Sequence, residues 1–339
     1  MSNATLNVTE LNQQVDLVTR AYTASKMDPL QNVMLNSWLV RKESIAKNSW
    51  LVRRFAEMIV TTAYFGEWTS WAPATQAKYQ LWYEKDLFVD QHDLAISIDR
   101  QLRLGAKNPE IIQKLTSLWE AWYAEVDLAL AHRLAFAWST SYVNSRWFTK
   151  DLTCWDGLAL ISASHTLTGS ASTYSNQIPN NPQFSKGAYT AAKKIAVENT
   201  LDNLGQKMAI DYDRIITTDD EDTVIAVKEL SNATADINSS NAWTYNVYSK
   251  LKHIVAPRIA TTSAGWVDTT KAKYWFIGSS MLQPIIYGEM TAPNISTPRD
   301  WNNGEDIMTG NWNYVWFADW GTTVASPRWI IGSKWDGSN

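Results

Sequence analysis

Between Asn108 and about Ala137 the chain carries its clearest helical signal, and no other segment fixes local structure so tightly. Asn108 is a good N-cap. Pro109 suits the first helical position, where a missing amide hydrogen costs nothing, and Glu110 faces the positive end of the helix dipole. Apolar residues then recur at Ile111, Ile112, Leu115, Leu118, Trp119, Trp122, Val126, Leu130 and Leu134, the spacing of one helical face. Roughly thirty residues at 1.5 Å each make a rod of about 45 Å. His132 sits on this rod four residues from Leu128 and reads as a solvated or core-edge histidine rather than a ligand.

The aromatic content bounds what surrounds that rod. Trp (19) outnumbers Gly (14) in a chain of 339 residues, and charged residues make up only 19%, below the ~25% of an ordinary soluble domain. Few charges and many large aromatics leave more adhesive surface than one monomer hides easily, which points to assembly or to a stacking ligand. The length fits two domains or one elaborated domain, enough for a substantial core. Cys154, the single cysteine, excludes an internal disulfide framework and an all-Cys zinc site, and reads as a small buried apolar residue. The most apolar stretch, Tyr274 to Gly288, is broken by Ser279, Ser280, Gln283 and Pro284, so no membrane span is expected. The polar N-terminus lacks the basic and apolar regions of a secretory leader, and the expectation is a product made in the cytoplasm. A formal charge of −4 without a basic cluster argues against a dedicated nucleic-acid binder.

Residues 1 to about 57 read as a polar, mixed-charge arm with an internal repeat: NSWLVRK at Asn36 to Lys42 and NSWLVRR at Asn48 to Arg54, twelve residues on. On one straight helix the copies stand about 120° apart, whereas in extended chain an even offset puts them on one side. The arm therefore breaks between them or lies flat along a surface, and Trp38 and Trp50 are candidate docking contacts onto neighbouring subunits. From Ile59 to Ile98 alternation at Tyr79, Leu81 and Tyr83, then at Leu94, Ile96 and Ile98, predicts strands around a Gly66–Pro73 loop. Trp68, Trp71, Tyr79, Trp82 and Tyr83 make this excursion a second candidate contact. Further on, a helix is expected over Ser185 to Leu204, closed by Gly205, with a strand at Arg214 to Thr218 and a helical run Val224, Val227 and Leu230. The acids Asp219 to Asp222 read as a helix N-terminus rather than a metal site. The C-terminal third returns to aromatic strands at Tyr274–Ile277, Trp312–Trp320 and Trp329–Ile331.

No catalytic constellation is legible. The chain has no nucleophile elbow, P-loop, dinucleotide fingerprint, H-E-x-x-H or C-x-x-C, and His92, His132, His165 and His253 lack ligand spacing. The expectation is no enzyme, no cofactor and no metal. A Trp-rich carbohydrate-binding protein is the rival class, although the aromatics run through every segment instead of clustering.

The segment GLALISASHTLTGSASTYSN (Gly157 to Asn176) resembles one in tailed-bacteriophage major capsid proteins, where a Leu-rich strand leads to a His, a Gly/Ser loop and an Asn. The order of elements that follows fits the same family: the helix before Gly205, the strand Arg214 to Thr218, the short helix Thr223 to Leu230, LKHIVAPRI (Leu251 to Ile259) and AGWVDTTKAKYWFIGS (Ala264 to Ser279). By motif the resemblance covers about Asp156 to Ser279. It departs at Thr217-Thr218-Asp219, where many relatives carry an apolar-Val-Pro step.

What the resemblance implies is an α+β Hong Kong 97-like capsid fold. Residues 1–57 would be the N-terminal arm and 58–104 the extended E-loop with its flanking strands. Residues 105–204 would be peripheral domain, including a spine helix at 108–137, residues 205–260 the axial domain, and 261–339 a return to the peripheral domain. It also implies self-assembly into hexamers and pentamers of an icosahedral virion shell, in the host bacterial cytoplasm. The shell would enclose double-stranded DNA without sequence-specific binding. A separate scaffolding protein, a portal and a decoration protein are the other partners, and no membrane is involved. Some relatives cross-link an E-loop Lys to a neighbour, for which Lys78 and Lys85 lie in the matching region. Encapsulin-like compartments of the same fold are the nearest alternative.

Overall fold

The computed structural model describes residues 13, 17, 33–47, 51–60, 79–98, 108–166, 173–199, 207, 210–232, 248, 251–280, 283–296, 311–324 and 326–335. Strands β1 (Val40–Ser44), β2 (Val52–Val60), β3 (Tyr79–Phe88) and β4 (Asp90–Ile98) precede helix α1 (Asn108–Ala135). A hairpin of β5 (Ser141–Val143) and β6 (Thr149–Asp151) follows, then the pair β7 (His165–Thr166) and β8 (Thr173–Tyr174). Next come α2 (Lys186–Asn199), β9 (Arg214–Thr217), α3 (Glu221–Asn232) and β10 (Lys252–Val255). Strands β11 (Trp275–Gly278), β12 (Ile285–Ser296), β13 (Trp312–Val324) and β14 (Ile330–Ser333) close the order.

The helix that dominates the sequence is 28 residues long, about 42 Å at 1.5 Å per residue. Its stripe of Leu118, Trp119, Trp122, Val126, Leu130 and Leu134 is buried in the main core, while Ile112, one step off the stripe, is 38% exposed. The stripe packs on a four-stranded sheet ordered β1-β12-β13-β4, in which β1 runs parallel to β12 and the other pairs are antiparallel. On β13, Tyr314, Trp316, Ala318 and Trp320 alternate inward, and Trp316 meets Trp119 edge-on with ring centroids 3.9 Å apart. That alternation is the period-2 signature of a sheet with one face on a core. His132, read above as solvated or core-edge, is only 3% exposed.

A second sheet, ordered β10-β9-β11-β14, is covered on both faces. Ile216, Phe276 and Ile330 face the main core, whereas Ile215, Trp275, Ile277 and Ile331 join a second core with Tyr189 and Ala192 of α2 and Val227 and Leu230 of α3. Burial on both faces explains why these strands read as short unbroken apolar runs. Both helices start where side chains meet orphan amides: Ser185 Oγ accepts from Ala188 N–H at 3.1 Å, and Asp220 Oδ2 accepts from Thr223 N–H at 3.1 Å. Thr218 is buried and donates its hydroxyl to the Ala272 carbonyl.

Two expectations need revision, and the repeat takes one of its two expected forms. The segment 33–47 is not a polar arm: Met34, Leu35 and Leu39 are at most 2% exposed, and Asp127 Oδ1 on α1 accepts the Met34 amide at 2.7 Å. The repeat divides between two sheets, since Val40 opens β1 beside β12 whereas Val52 opens β2 beside β3. The equivalent arginines of the two copies, Arg41 and Arg53, nevertheless converge on Glu43. Finally, residue 260 does not separate the sheets, because β11, flanked on its other side by β14, pairs with β9 across it. α2 ends at Asn199, and Gly205 lies outside the described residues.

Candidate assembly surface

The ribbon of β2 and β3 is a two-stranded sheet of its own, in register from Val52 opposite Phe88 to Val60 opposite Tyr79, with an irregularity between Ala56 and Met58. Two strands alone are marginal in water, so the root of the ribbon is held elsewhere. Leu87 and Val89 form a small core with Ile45 and Ile286. Lys85 Nζ lies 2.5 Å from Asp151 Oδ2 and 2.9 Å from Thr153 Oγ1, and Lys150 Nζ lies 2.6 Å from Asp90 Oδ2. These pairs fasten the ribbon root to β6. Within the ribbon, Arg54 bridges Asp86 at 2.8 Å and Glu84 at 2.7 Å, an exposed pairing of small net worth. Lys85, a cross-link candidate by resemblance, is thus engaged inside its own chain, and Lys78 lies outside the described residues.

The contact residues expected from sequence fall in three groups. Trp38 is half-buried, packs on the main core and covers Gly278 so closely that a methyl group there would collide with Trp38 Cη2. Only the rest of its ring is left for a neighbour. Tyr79, Trp82 and Tyr83 lie on β3, of which the backbone but not these side chains is described, and Trp50, Trp68 and Trp71 lie outside the described residues.

Sequence reading missed the most exposed aromatics. Trp147 is 88% and Phe148 62% exposed at the β5–β6 turn. Asn144 Oδ1 accepts from the Arg146 amide at 3.1 Å and from the Phe148 amide at 2.9 Å, and Trp147 takes φ +64°. Trp266 (75%) and Val267 (82%) crown a second turn, closed by Thr262 N–H donating to the Trp266 carbonyl at 2.7 Å. Both turns are bolted to the C-terminal end of α1. Tyr142 stacks on Phe136 at 4.8 Å, and His132 stands edge-on to both rings and 3.3 Å from Thr261 Oγ1. Lys271 Nζ lies 3.8 Å over the Phe136 ring and donates to the Thr261 carbonyl at 2.7 Å. The available signals were Asn144, a turn-former placed to bond its own backbone, and Gly265 before Trp266.

The ionisable interior is built for structure. Burial pushes His92, His132 and His253 down to about 4, so these three are neutral near pH 7. Cys154 is 2% exposed and burial pushes its thiol up, away from the nucleophilic thiolate. His165 Nδ1 sits 2.5 Å from Asp156 Oδ2 and its Nε2 3.2 Å from the Leu160 carbonyl, with both side chains sealed from solvent. Asn176 completes this knot, its amide donating to the Leu160 carbonyl at 2.7 Å and to the Pro327 carbonyl at 2.9 Å. The His and Asn of the Gly157–Asn176 segment thus pin loops rather than face a substrate. Among the described residues no three His, Cys, Asp or Glu side chains group as a metal site, and no helix is long and apolar enough to cross a membrane.

No protein-family model and no curated protein matches the chain. Solved structures do. A chain of the capsid of Ralstonia phage GP4 superposes with a TM-score of 0.52 at 10% identity, covering 90% of this chain and 92% of that one. This chain has a phage-capsid fold. The mixed helix-and-sheet fold that the resemblance implied is thereby met. Two further likenesses are to the capsid structure of cyanophage P-SCSP1u (TM-score 0.49, 12% identity, 87% and 85% covered) and to Mycobacterium phage Patience (0.49, 11%, 100% and 91%).

Proposed function

We propose that the chain is a major capsid protein that self-assembles into the icosahedral head of a tailed bacteriophage and encloses its DNA. The observation that carries this reading is the fold shared over nine-tenths of both chains with the Ralstonia phage GP4 capsid, at an identity of only 10%. Conserved architecture without conserved sequence suits a protein whose work is shape. Large aromatics held in the open by tightly bonded turns supply contact surfaces that a monomer would not keep exposed.

On this reading the architecture is Hong Kong 97-like. The ribbon β2–β3 is the root of the E-loop and α1 is the spine. The sheet under α1 is the peripheral domain, and the sheet between α2 and α3 is the core of the axial domain, with β11 and β14 added to the 205–260 segment. The subunit's partners are its own copies in hexamers and pentamers, a separate scaffolding protein, a portal and a decoration protein, and its place is the virion. The test is expression alone and with a scaffolding protein, followed by sedimentation and electron microscopy. Closed shells of megadalton mass are expected. A stable monomer that binds a sugar polymer would support the carbohydrate-binding class instead.

A further inference from the structure

Where β4 begins at Asp90, β13 runs on past it to Val324, and among the described residues no strand pairs with β13 beyond Trp320 on that side, although Phe88 at the end of β3 lies against Gly321. Arg133, from the last turn of α1, covers this gap. Its Nε donates to Thr322 Oγ1 at 3.0 Å, its Nη2 to the Thr322 carbonyl at 2.5 Å and its Nη1 to the Asp151 carbonyl at 2.6 Å. A guanidinium carries five N–H groups, so one on each terminal nitrogen is left without a partner among the described residues. The side chain is only 8% exposed, and among the described residues no carboxylate lies within salt-bridge distance of it. Asp151 and Asp90 act on it from beyond salt-bridge distance and are each already paired with a lysine, so the buried charge is only partly compensated.

Arg133 lines a cavity of about 390 Å³ between β4 and the β5–β6 hairpin. Of the acids on that cavity, Asp90 is paired with Lys150, Asp86 with Arg54 and Asp151 with Lys85. Glu125 is the fourth, and Arg146 joins Arg133 and the paired Lys150 as the third cation of the lining. His92, stacked on Trp320 at 4.3 Å, also lines it and buries an Nε2 that has no partner among the described residues. Phe88 and Phe148, 59% and 62% exposed, stand on its rim. A buried polar anchor ringed by exposed aromatics is the anatomy of a protein-binding hot spot, and two N–H groups on separate nitrogens suit a carboxylate.

We propose that this cavity is an intersubunit socket that takes an Asp or Glu side chain of an adjacent copy, bonded to Arg133 beneath Phe88 and Phe148. The socket rests on the assembly reading above. The test is a cryo-electron microscopy map of assembled particles, with particle yields for Arg146→Glu and Arg146→Lys. An acidic side chain from a neighbouring copy within hydrogen-bond distance of an Arg133 Nη is expected. Arg146→Glu should lower particle yield at least tenfold while the urea midpoint of unassembled subunits stays at the wild-type value, and Arg146→Lys should assemble normally. Particles whose cavity holds water, a free anion or a residue of the same chain would overturn the socket and leave the capsid reading standing, as would a normal yield from Arg146→Glu. If the wild-type chain forms no particles, both readings fall together.

Discussion

At the residue scale the most consequential polar contact is the His165–Asp156 pair, which joins β7 to the turn at Gly157 (φ +74°) and is fully enclosed. Removing one partner of such a pair leaves the other's buried hydrogen-bonding atoms unsatisfied, at a cost of about 1–3 kcal/mol. His165→Ala should therefore lower the unfolding free energy of unassembled subunits by that order in urea titrations; a loss below about 1 kcal/mol would mean that water reaches Asp156. His92, His132 and His253 set a separate dependence on pH. Each titrates near 4 in the fold against an ordinary 6.5, because burial disfavours the imidazolium. Above pH 6.5 both states are neutral there and stability is flat. Between 6.5 and 4 the unfolded chain binds more protons, so stability falls as the pH falls. The urea midpoint should be level from pH 7 to 8 and drop steadily from 6.5 to 4.5; a level profile over the lower range would place these rings in contact with solvent.

At the element scale the ribbon separates folding from assembly. Its root is fixed by Leu87, Val89, Ile45 and Ile286 and by the Lys85–Asp151 and Lys150–Asp90 pairs, all of which lie at or below Lys85 in the ladder. Val60 stands opposite Tyr79, so a short link can close the hairpin without residues 61–78. Replacing 61–78 by a brief Gly/Ser turn should leave the circular dichroism and the cooperative melt of the subunit nearly unchanged and abolish shells. Loss of the cooperative melt would instead assign 61–78 to the subunit's own core. The cut should spare Tyr79 to Glu84, because those residues belong to the β2–β3 ladder and Glu84 also bridges Arg54.

At the scale of the whole molecule the charge balance bounds how tightly the chain can hold nucleic acid. Thirty basic and 34 acidic side chains leave a formal −4, and many of the described cations are committed to internal pairs such as Lys85–Asp151, Lys150–Asp90 and Arg54–Asp86. DNA affinity grows with the number of phosphates neutralised. Isolated subunits should therefore bind duplex DNA weakly, without sequence preference and with a shallow salt dependence in titrations at several ionic strengths. Nanomolar binding at physiological salt would require a basic surface that this composition does not provide.

Local chemistry was enough to place the elements whose signals are internal to them. Pro109 and the apolar stripe marked α1, Asp220 marked the start of α3, alternation marked β3 and β4, and aromatic richness marked β13; the resemblance at Gly157–Asn176 pointed to the fold. Sheet membership was not legible, because strand partners are set by contacts between residues far apart in sequence. β1 and β12 lie about 245 positions apart in the chain, and an arm that looks polar along the sequence buries Met34, Leu35 and Leu39 only once α1 stands beside it. The aromatics of the candidate surface divide the same way. Composition says that there are too many for one core, whereas the fold alone decides that Trp38 turns inward over Gly278 and Trp147 turns out, since the direction of a side chain follows from the turn or strand that carries it and from what packs behind.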